Sequence, residues 1–332
     1  MFESDANLWL QSLDAPWLLW CMLAVSELGT TDAYMAAFLV LAFGVRLRPM
    51  AGVLLALVLA GAATGIAKLG FALPRPSEVD ARVLDKGERG RALVEEGAAD
   101  RFWGLPDAEA IETVRAAGAM DYGFISGHAS AAMAWMLGIA LLFGFRRRRA
   151  WTLAIGWALL VGVSRMYLGR HFLGDVLGGW LAGALAAWAA WAFVQAIEDG
   201  GGAPRRAVWT LAVAAVAALF AASFSLLFVL PGNAGEIAGA LACLWLLQRL
   251  AVPDERGAVR RILRVLLAFA LAYGLDAALR TGWAATGLAE SHPLAFAWPA
   301  AGYPLAIVGS FLAARALGLY GPPRPFPAEQ AA

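Results

Sequence analysis

Apolar stretches long enough to form membrane helices recur along this chain, separated by turns rich in Arg, Gly and Pro. A bilayer core takes about 20 apolar residues per helix. On that measure the pattern predicts nine spans, at residues 30–45, 50–72, 127–145, 150–168, 172–196, 207–230, 234–252, 260–280 and 293–318. The stretch Asn7–Leu28 is poorer in apolar residues, contains Asp14-Ala15-Pro16 and carries Trp9, Trp17 and Trp20. That pattern favours an interfacial helix over residues 1–28, with a tenth span as the alternative. Two segments break the rhythm. A long polar insert occupies residues 77–124, and a Gly-rich break, Asp199-Gly200-Gly201-Gly202-Ala203-Pro204, forms a linker at 197–206. The chain therefore reads as a transmembrane core at 29–196 followed by a C-terminal extension of four spans at 207–320. Pro322, Pro323, Pro325 and Pro327 exclude a helix after Gly321 and predict a disordered tail over 321–332.

Composition agrees with this pattern. Of 332 residues, 61% are hydrophobic and 15% charged, and the mean hydropathy is +0.66, which excludes an ordinary soluble domain. The fold class expected is an all-α polytopic membrane protein. Met1-Phe2-Glu3-Ser4-Asp5 is acidic and lacks a small-residue cleavage site, so no removable signal peptide is expected. Cys21 and Cys243 lie in apolar segments without paired spacing and read as buried small hydrophobes.

Net charge, at +1, identifies no partner, and nothing in it points to nucleic acid; its distribution sets the orientation. Arg46 and Arg48, Arg146 to Arg149, Arg205 and Arg206, and Arg249 to Arg264 mark alternate turns as cytoplasmic. The opposite turns are then outside, on the periplasmic face if the chain sits in a bacterial inner membrane. The insert from Ser77 to Phe124, with eleven acidic against six basic residues, belongs on that outer side. Its length fits a small lid, or equally a solvated spacer.

Three groups of polar residues fall at span ends on the outer side. Lys68 lies one turn before the end of the apolar run Met50–Leu73, seven residues before Arg75-Pro76. A snorkelling anchor is one reading of it. Yet Lys68 and Lys86 are the only lysines in a chain that otherwise uses Arg, which makes a phosphate ligand the competing reading. Ser126-Gly127-His128 opens the next span: Ser is a preferred N-cap, Gly admits a ligand to the backbone, and the exposed N–H groups favour an anion. A plain capped helix start is the alternative. The third group, Ser164-Arg165 followed by His171 and Asp175, is the most specific. Gly169 is expected to break the chain, leaving His171 and Asp175 at i and i+4 on one helix face. A carboxylate there can hold the Nδ1 proton and leave Nε2 unprotonated, which makes an imidazole a nucleophile; a simple helix-stabilising pair is the other reading.

Together these segments resemble the signature of the type 2 phosphatidic acid phosphatase superfamily, which includes glucose-6-phosphatase and the vanadium haloperoxidases. Lys68 to Pro76 matches K-x6-R-P and Ser164 to Asp175 matches S-R-x5-H-x3-D; Ile125 replaces the proline that usually precedes Ser126-Gly127-His128. The resemblance covers about residues 7–196. It implies a haloperoxidase-like helical bundle in which His171 attacks phosphorus, Asp175 fixes its tautomer, and His128 protonates the leaving oxygen and later activates water. Lys68, Arg75 and Arg165, helped by the N–H groups of Ser126 and Gly127, would bind the nonbridging oxygens. It implies no cofactor and no metal, with a phosphorylated lipid as substrate, membrane lipids as surroundings and a homodimer as an open arrangement.

Several functions fit these residues. The favoured one is hydrolysis of a lipid phosphomonoester or diphosphate. Phosphoryl transfer to another lipid, hydrolysis of a soluble sugar phosphate, and a non-catalytic transport or scaffolding role carried by the last four spans are the alternatives. Those last spans hold no motif; Asp276 and Arg280 read as a local i,i+4 ion pair and His292 as an interfacial residue.

Overall fold

A computed structural model describes residues 1–87, 92–117, 122–199, 201–253 and 257–321. The expected tail beyond Gly321 and Gly200 of the linker lie outside the described residues. The chain is an all-α polytopic membrane protein. Its helices are α1 (Asp5–Ser12), α2 (Pro16–Leu28), α3 (Thr31–Gly44), α4 (Leu47–Phe71), α5 (Pro76–Val79), α6 (Ala108–Ala116), α7 (Gly127–Leu142), α8 (Arg148–Tyr167), α9 (Leu173–Asp199), α10 (Gly202–Ala222), α11 (Pro231–Arg249), α12 (Ala258–Thr286) and α13 (Ala297–Ala316). A 3-10 turn, Pro293–Phe296, leads into α13. The described residues form no sheet, only an isolated bridge between Asp80 and Glu96.

Each expected span coincides with a helix, but among the described residues six stretches have the length and apolar composition to cross a membrane, those beginning at Leu47, Arg148, Leu173, Gly202, Ala258 and Pro293. α3 and α7 are shorter, and α11 carries Asn233 and Glu236. The reason is packing: half of α7 is buried against protein, so its length answers to its neighbours and not to the bilayer. The expected interfacial helix is two helices, because Asp14 and Ala15 interrupt it and Pro16 starts α2 at the first helical position.

α4 is the central element, packed against α3, α7, α9 and α11. Close approach depends on glycine. A Cβ at Gly179 or Gly183 of α9 would collide with the Ser126 and Ser130 carbonyls of α7, so this small-x-x-x-small face lets α9 lie against the helix that carries His128. Gly235 and Gly239 of α11 do the same against the Phe296 and Pro299 carbonyls.

The linker does not divide the core. One apolar cluster joins Phe38, Met50, Leu54 and Ala190 to Cys243, Leu247, Ala268 and Phe311. On the arginine-rich side, Arg48 donates to the Leu247 and Leu250 carbonyls at 3.2 and 2.7 Å, closing the end of α11. The buried Arg264 of α12 donates to the carbonyls of Phe43 and Leu319, both at 3.1 Å, and lies over the Tyr320 ring. Arginines read from sequence as topology markers also tie the two halves together. Cys243 is buried as expected, whereas Cys21 is exposed on α2 because only Ser26 of that helix is buried. Asp276 accepts from Arg280 at 2.7 Å, and the His292 ring accepts the Leu294 N–H at 3.2 Å.

Candidate active site

The segment between α8 and α9 is built to present one histidine. At Gly169 φ is +73°, and a Cβ there would strike the Leu84 carbonyl, so only glycine fits the turn. His171 follows, 2% exposed, with Nδ1 3.3 Å from Oδ2 of the fully buried Asp175. The same oxygen accepts the Phe172 N–H at 2.9 Å. The two residues pair as expected but do not share a helix: α9 begins at Leu173. The Asp175 carboxylate closes the first turn of α9 and, by holding the backbone at Phe172, fixes the approach of His171.

Two residues outside the motifs brace this segment. Asn7 of α1 donates from Nδ2 to the carbonyls of Met166 (2.9 Å) and His171 (3.0 Å). Gln11, one turn later, donates to the carbonyls of Tyr167 (3.0 Å) and Leu84 (2.7 Å) and accepts the Leu84 N–H at 3.0 Å. Both side chains are buried. The signal available in the sequence was two amides at i and i+4 in an otherwise apolar, Trp-rich stretch.

The cations reach the pocket from different elements. Lys68 sits in the last turn of α4. Arg75, 6% exposed, is the N-cap residue of α5, and its backbone N–H donates to the Glu78 side chain at 2.7 Å. Arg165, 8% exposed near the end of α8, donates from Nη1 to Ser26 Oγ at 2.6 Å, so α2 helps aim it. Burial holds the His171 pKa well below the ordinary histidine value, and the charges of Arg165, Arg75, Lys68 and His128 push it further the same way. All four charges act on one imidazole, and His171 stays neutral near pH 7.

Ser126 takes a different part from the one expected. Its side chain caps α7 by accepting the Ala129 N–H at 3.5 Å, while its backbone N–H donates to the Asp175 carbonyl at 2.9 Å. That N–H is committed to the protein and cannot bind a phosphate oxygen; the open first-turn N–H groups begin at Gly127. The same bond, with Gly123 N–H donating to the Leu73 carbonyl at 2.7 Å and Ile125 buried, holds the entry to His128 where the family's proline is missing.

The described residues of the insert are folded onto the core rather than forming a solvated spacer. Val79, Ala110 and Val114 form a small core on Phe172, the neighbour of His171. Arg170 and Asp85 pair at 3.3 Å with both side chains buried, Lys86 N–H donates to the Leu168 carbonyl at 3.2 Å, and Lys86 Nζ lies 4.6 Å from the centre of the Tyr167 ring. Burial and the nearby Arg75 charge lower the Arg170 pKa, against the pull of Asp85 and Glu78. Arg170 and Asp85, which sequence reading passed over, therefore clamp the insert onto the histidine segment. Among the described residues no cluster of three or more His, Cys, Asp or Glu side chains is gathered as metal ligands.

This constellation occupies the part of the chain that a family model recognises. Residues 49–199 match the model of the PAP2 superfamily. Over this segment the chain resembles the PAP2 superfamily. Every motif residue from Lys68 to Asp175 falls within it, while α10 to α13 lie beyond it. Among solved structures the chain is similar to the crystal structure of Aquifex aeolicus LpxE, with 18% identity over 57% of this chain and 94% of that one and a TM-score of 0.42. No curated protein matches.

Proposed function

We propose that this protein is an integral membrane phosphatase that cleaves a phosphomonoester or diphosphate of a lipid through a phosphohistidine, without a metal ion. The observation that carries the reading is a neutral, buried His171, oriented by Asp175 among Arg165, Arg75 and Lys68. His171 Nε2 attacks phosphorus; the P–O bond to the leaving group breaks, and protonated His128 gives that oxygen its proton. His128, now neutral, takes a proton from water, which attacks the phosphohistidine and releases inorganic phosphate and neutral His171. The cations and the N–H groups starting at Gly127 stabilise the charge spread over the phosphoryl oxygens.

The deciding experiment is phosphate release by the purified full chain, in detergent with EDTA, across phosphatidate, phosphatidylglycerol phosphate, a polyprenyl diphosphate, a phosphorylated sphingoid lipid and lipid A. Release from at least one, inhibited by vanadate as a mimic of the five-coordinate transition state, is expected. No release from any lipid, or activity lost in EDTA and indifferent to vanadate, would defeat the proposal.

Because protonation silences the nucleophile, the acid limb of kcat due to His171 should lie below pH 6.5, with activity falling as pH drops through its depressed pKa. Removing a neighbouring positive charge makes the imidazolium easier to form, so Arg165→Gln should move that limb to higher pH. A limb that stays in place in a still-active variant would show that another group titrates.

The site is proposed to face outside, the periplasm in a bacterial inner membrane. In a background lacking both cysteines, Cys21 being exposed, Arg101→Cys in the insert should react with an impermeant thiol reagent added to intact cells and Arg147→Cys should not. The reverse pattern would place the site in the cytoplasm.

A further inference from the structure

A cavity of about 370 Å³ adjoins the phosphate cluster. His128 and Thr64 stand in its wall, but Lys68, Arg75, Arg165 and His171 do not. The C-terminal extension completes that wall with Asn233 and Glu236 of α11 and Tyr303 of α13, and Tyr34 of α3 also lines it. Glycine packing fixes the arrangement, since Gly235 and Gly239 seat α11 directly on α13, with Gly239 against the Tyr303 ring. Gly65 of α4 approaches the Asn233 amide. The cavity thus joins a residue of the PAP2 core to a carboxylate that lies beyond residues 49–199.

Glu236 is the only acidic side chain in the wall, and it has no hydrogen bond or ion pair among the described residues. A carboxylate held away from bulk water costs several kcal/mol unless something pairs with it, and an ionisable group within a membrane bundle is by default a functional one. Apart from His128, at the border with the phosphate cluster, the other polar groups of the wall, from Thr31, Tyr34, Thr64, Asn233 and Tyr303, are neutral. The complement to the Glu236 carboxylate is a cation that also offers hydrogen bonds.

Position says which part of a substrate would lie there. On the reading under Proposed function, phosphorus sits beside His171 among the cations, and His128 faces the oxygen that leaves. The group attached to that oxygen must extend past His128, and the space past His128 is this cavity. We propose that the cavity holds the leaving alcohol of the substrate and that Glu236 recognises an amino group on it, within a few bonds of the leaving oxygen. The substrate class is then a phosphorylated amino alcohol with a lipid tail. Glu236 is a specificity-determining residue, and the extension supplies selectivity where the core supplies phosphoryl transfer.

The test compares 2-aminododecan-1-yl phosphate, its N-acetyl derivative and 2-hydroxydodecan-1-yl phosphate as substrates of the purified full chain. The free amine is expected to be preferred in kcat/KM by about tenfold or more, the scale of one charged hydrogen bond of about 1.5–3 kcal/mol. Glu236→Gln should collapse that ratio toward one. A wild-type protein that hydrolyses all three esters equally, or a Glu236→Gln variant that keeps the amine preference, would overturn the assignment. Thermal stabilisation by 2-aminododecan-1-ol against dodecane-1,2-diol needs no turnover and is read in parallel on the wild type and on Glu236→Gln. Amine-selective stabilisation that requires Glu236, without hydrolysis of any ester, would sink the phosphatase reading and keep the cavity assignment. Hydrolysis without amine selectivity does the reverse. If Glu236→Gln does not fold, the wild-type preference among the three esters and the two alcohols still decides.

Discussion

Replacing His171 by alanine is expected to abolish phosphate release, with a loss of about 10⁴-fold or more, the scale seen when a nucleophile is removed from a catalytic unit. The structure leaves no stand-in. His171 is buried and its carbonyl is held by Asn7, and the charged groups that act on it, Arg165, Arg75 and Lys68, include no nucleophile of comparable strength near neutral pH. His128→Ala should fail differently. With a good leaving group such as p-nitrophenolate the first transfer needs no acid, so phosphate should accumulate on the protein while its release by water becomes slow. Acid-labile label trapped on His128→Ala and absent from His171→Ala is the expected pair of results. Normal turnover by His171→Ala would end the mechanism.

Arg165→Lys is expected to lower kcat/KM by roughly 10- to 100-fold although charge is kept, because hydrogen bonds to charged groups are worth about 1.5–3 kcal/mol each. The guanidinium uses Nη1 to hold Ser26 at 2.6 Å and can present its other donors in a fixed fork. An ammonium carries its three donors on a single atom and cannot hold the hydroxyl of α2 while gripping two phosphoryl oxygens side by side as a planar fork does. The affinity for vanadate should fall in parallel, since vanadate makes the same contacts as the transition state. Ser26→Ala should cost less, as it loosens the aim of Arg165 without removing it. Equal activity and vanadate affinity in Arg165→Lys and the wild type would show that Arg165 acts through charge alone.

What the sequence revealed and what it hid follow from the range of each signal. Membrane helices rest on runs of apolar residues, a local property, so every expected span found its helix. The grouping of cations and histidines was also legible, because each lies at a span end within a short spaced motif. Contacts between distant segments carry no such mark. Nothing adjacent to Asn7 announces that it will bind the carbonyl of His171, and nothing around Ser26 announces Arg165. The N–H of Ser126 looked free for a ligand because its partner, the Asp175 carbonyl, comes from another helix. The Gly-rich break looked like a boundary between modules. Composition can show where a chain turns, but not that Arg48, Arg264 and the core residues around Leu54 and Leu247 reach across the turn.

That reach bears on how the protein is made. α4 is among the first long helices to leave the ribosome, yet one of the helices that surround it, α11, appears only after everything from Pro76 to Leu230 has been synthesised. At about 5–20 residues per second the wait is on the order of ten seconds. Through that interval the surface of α4 destined for α11, with Gly65 awaiting Asn233, has only lipid or the insertion machinery to face. The first half of the chain is therefore complete in the residues proposed to act on phosphate long before it is complete in its packing, and a ribosome stalled within the last four helices would leave in the membrane a chain that carries all of them but lacks the helices that cover one face of α4.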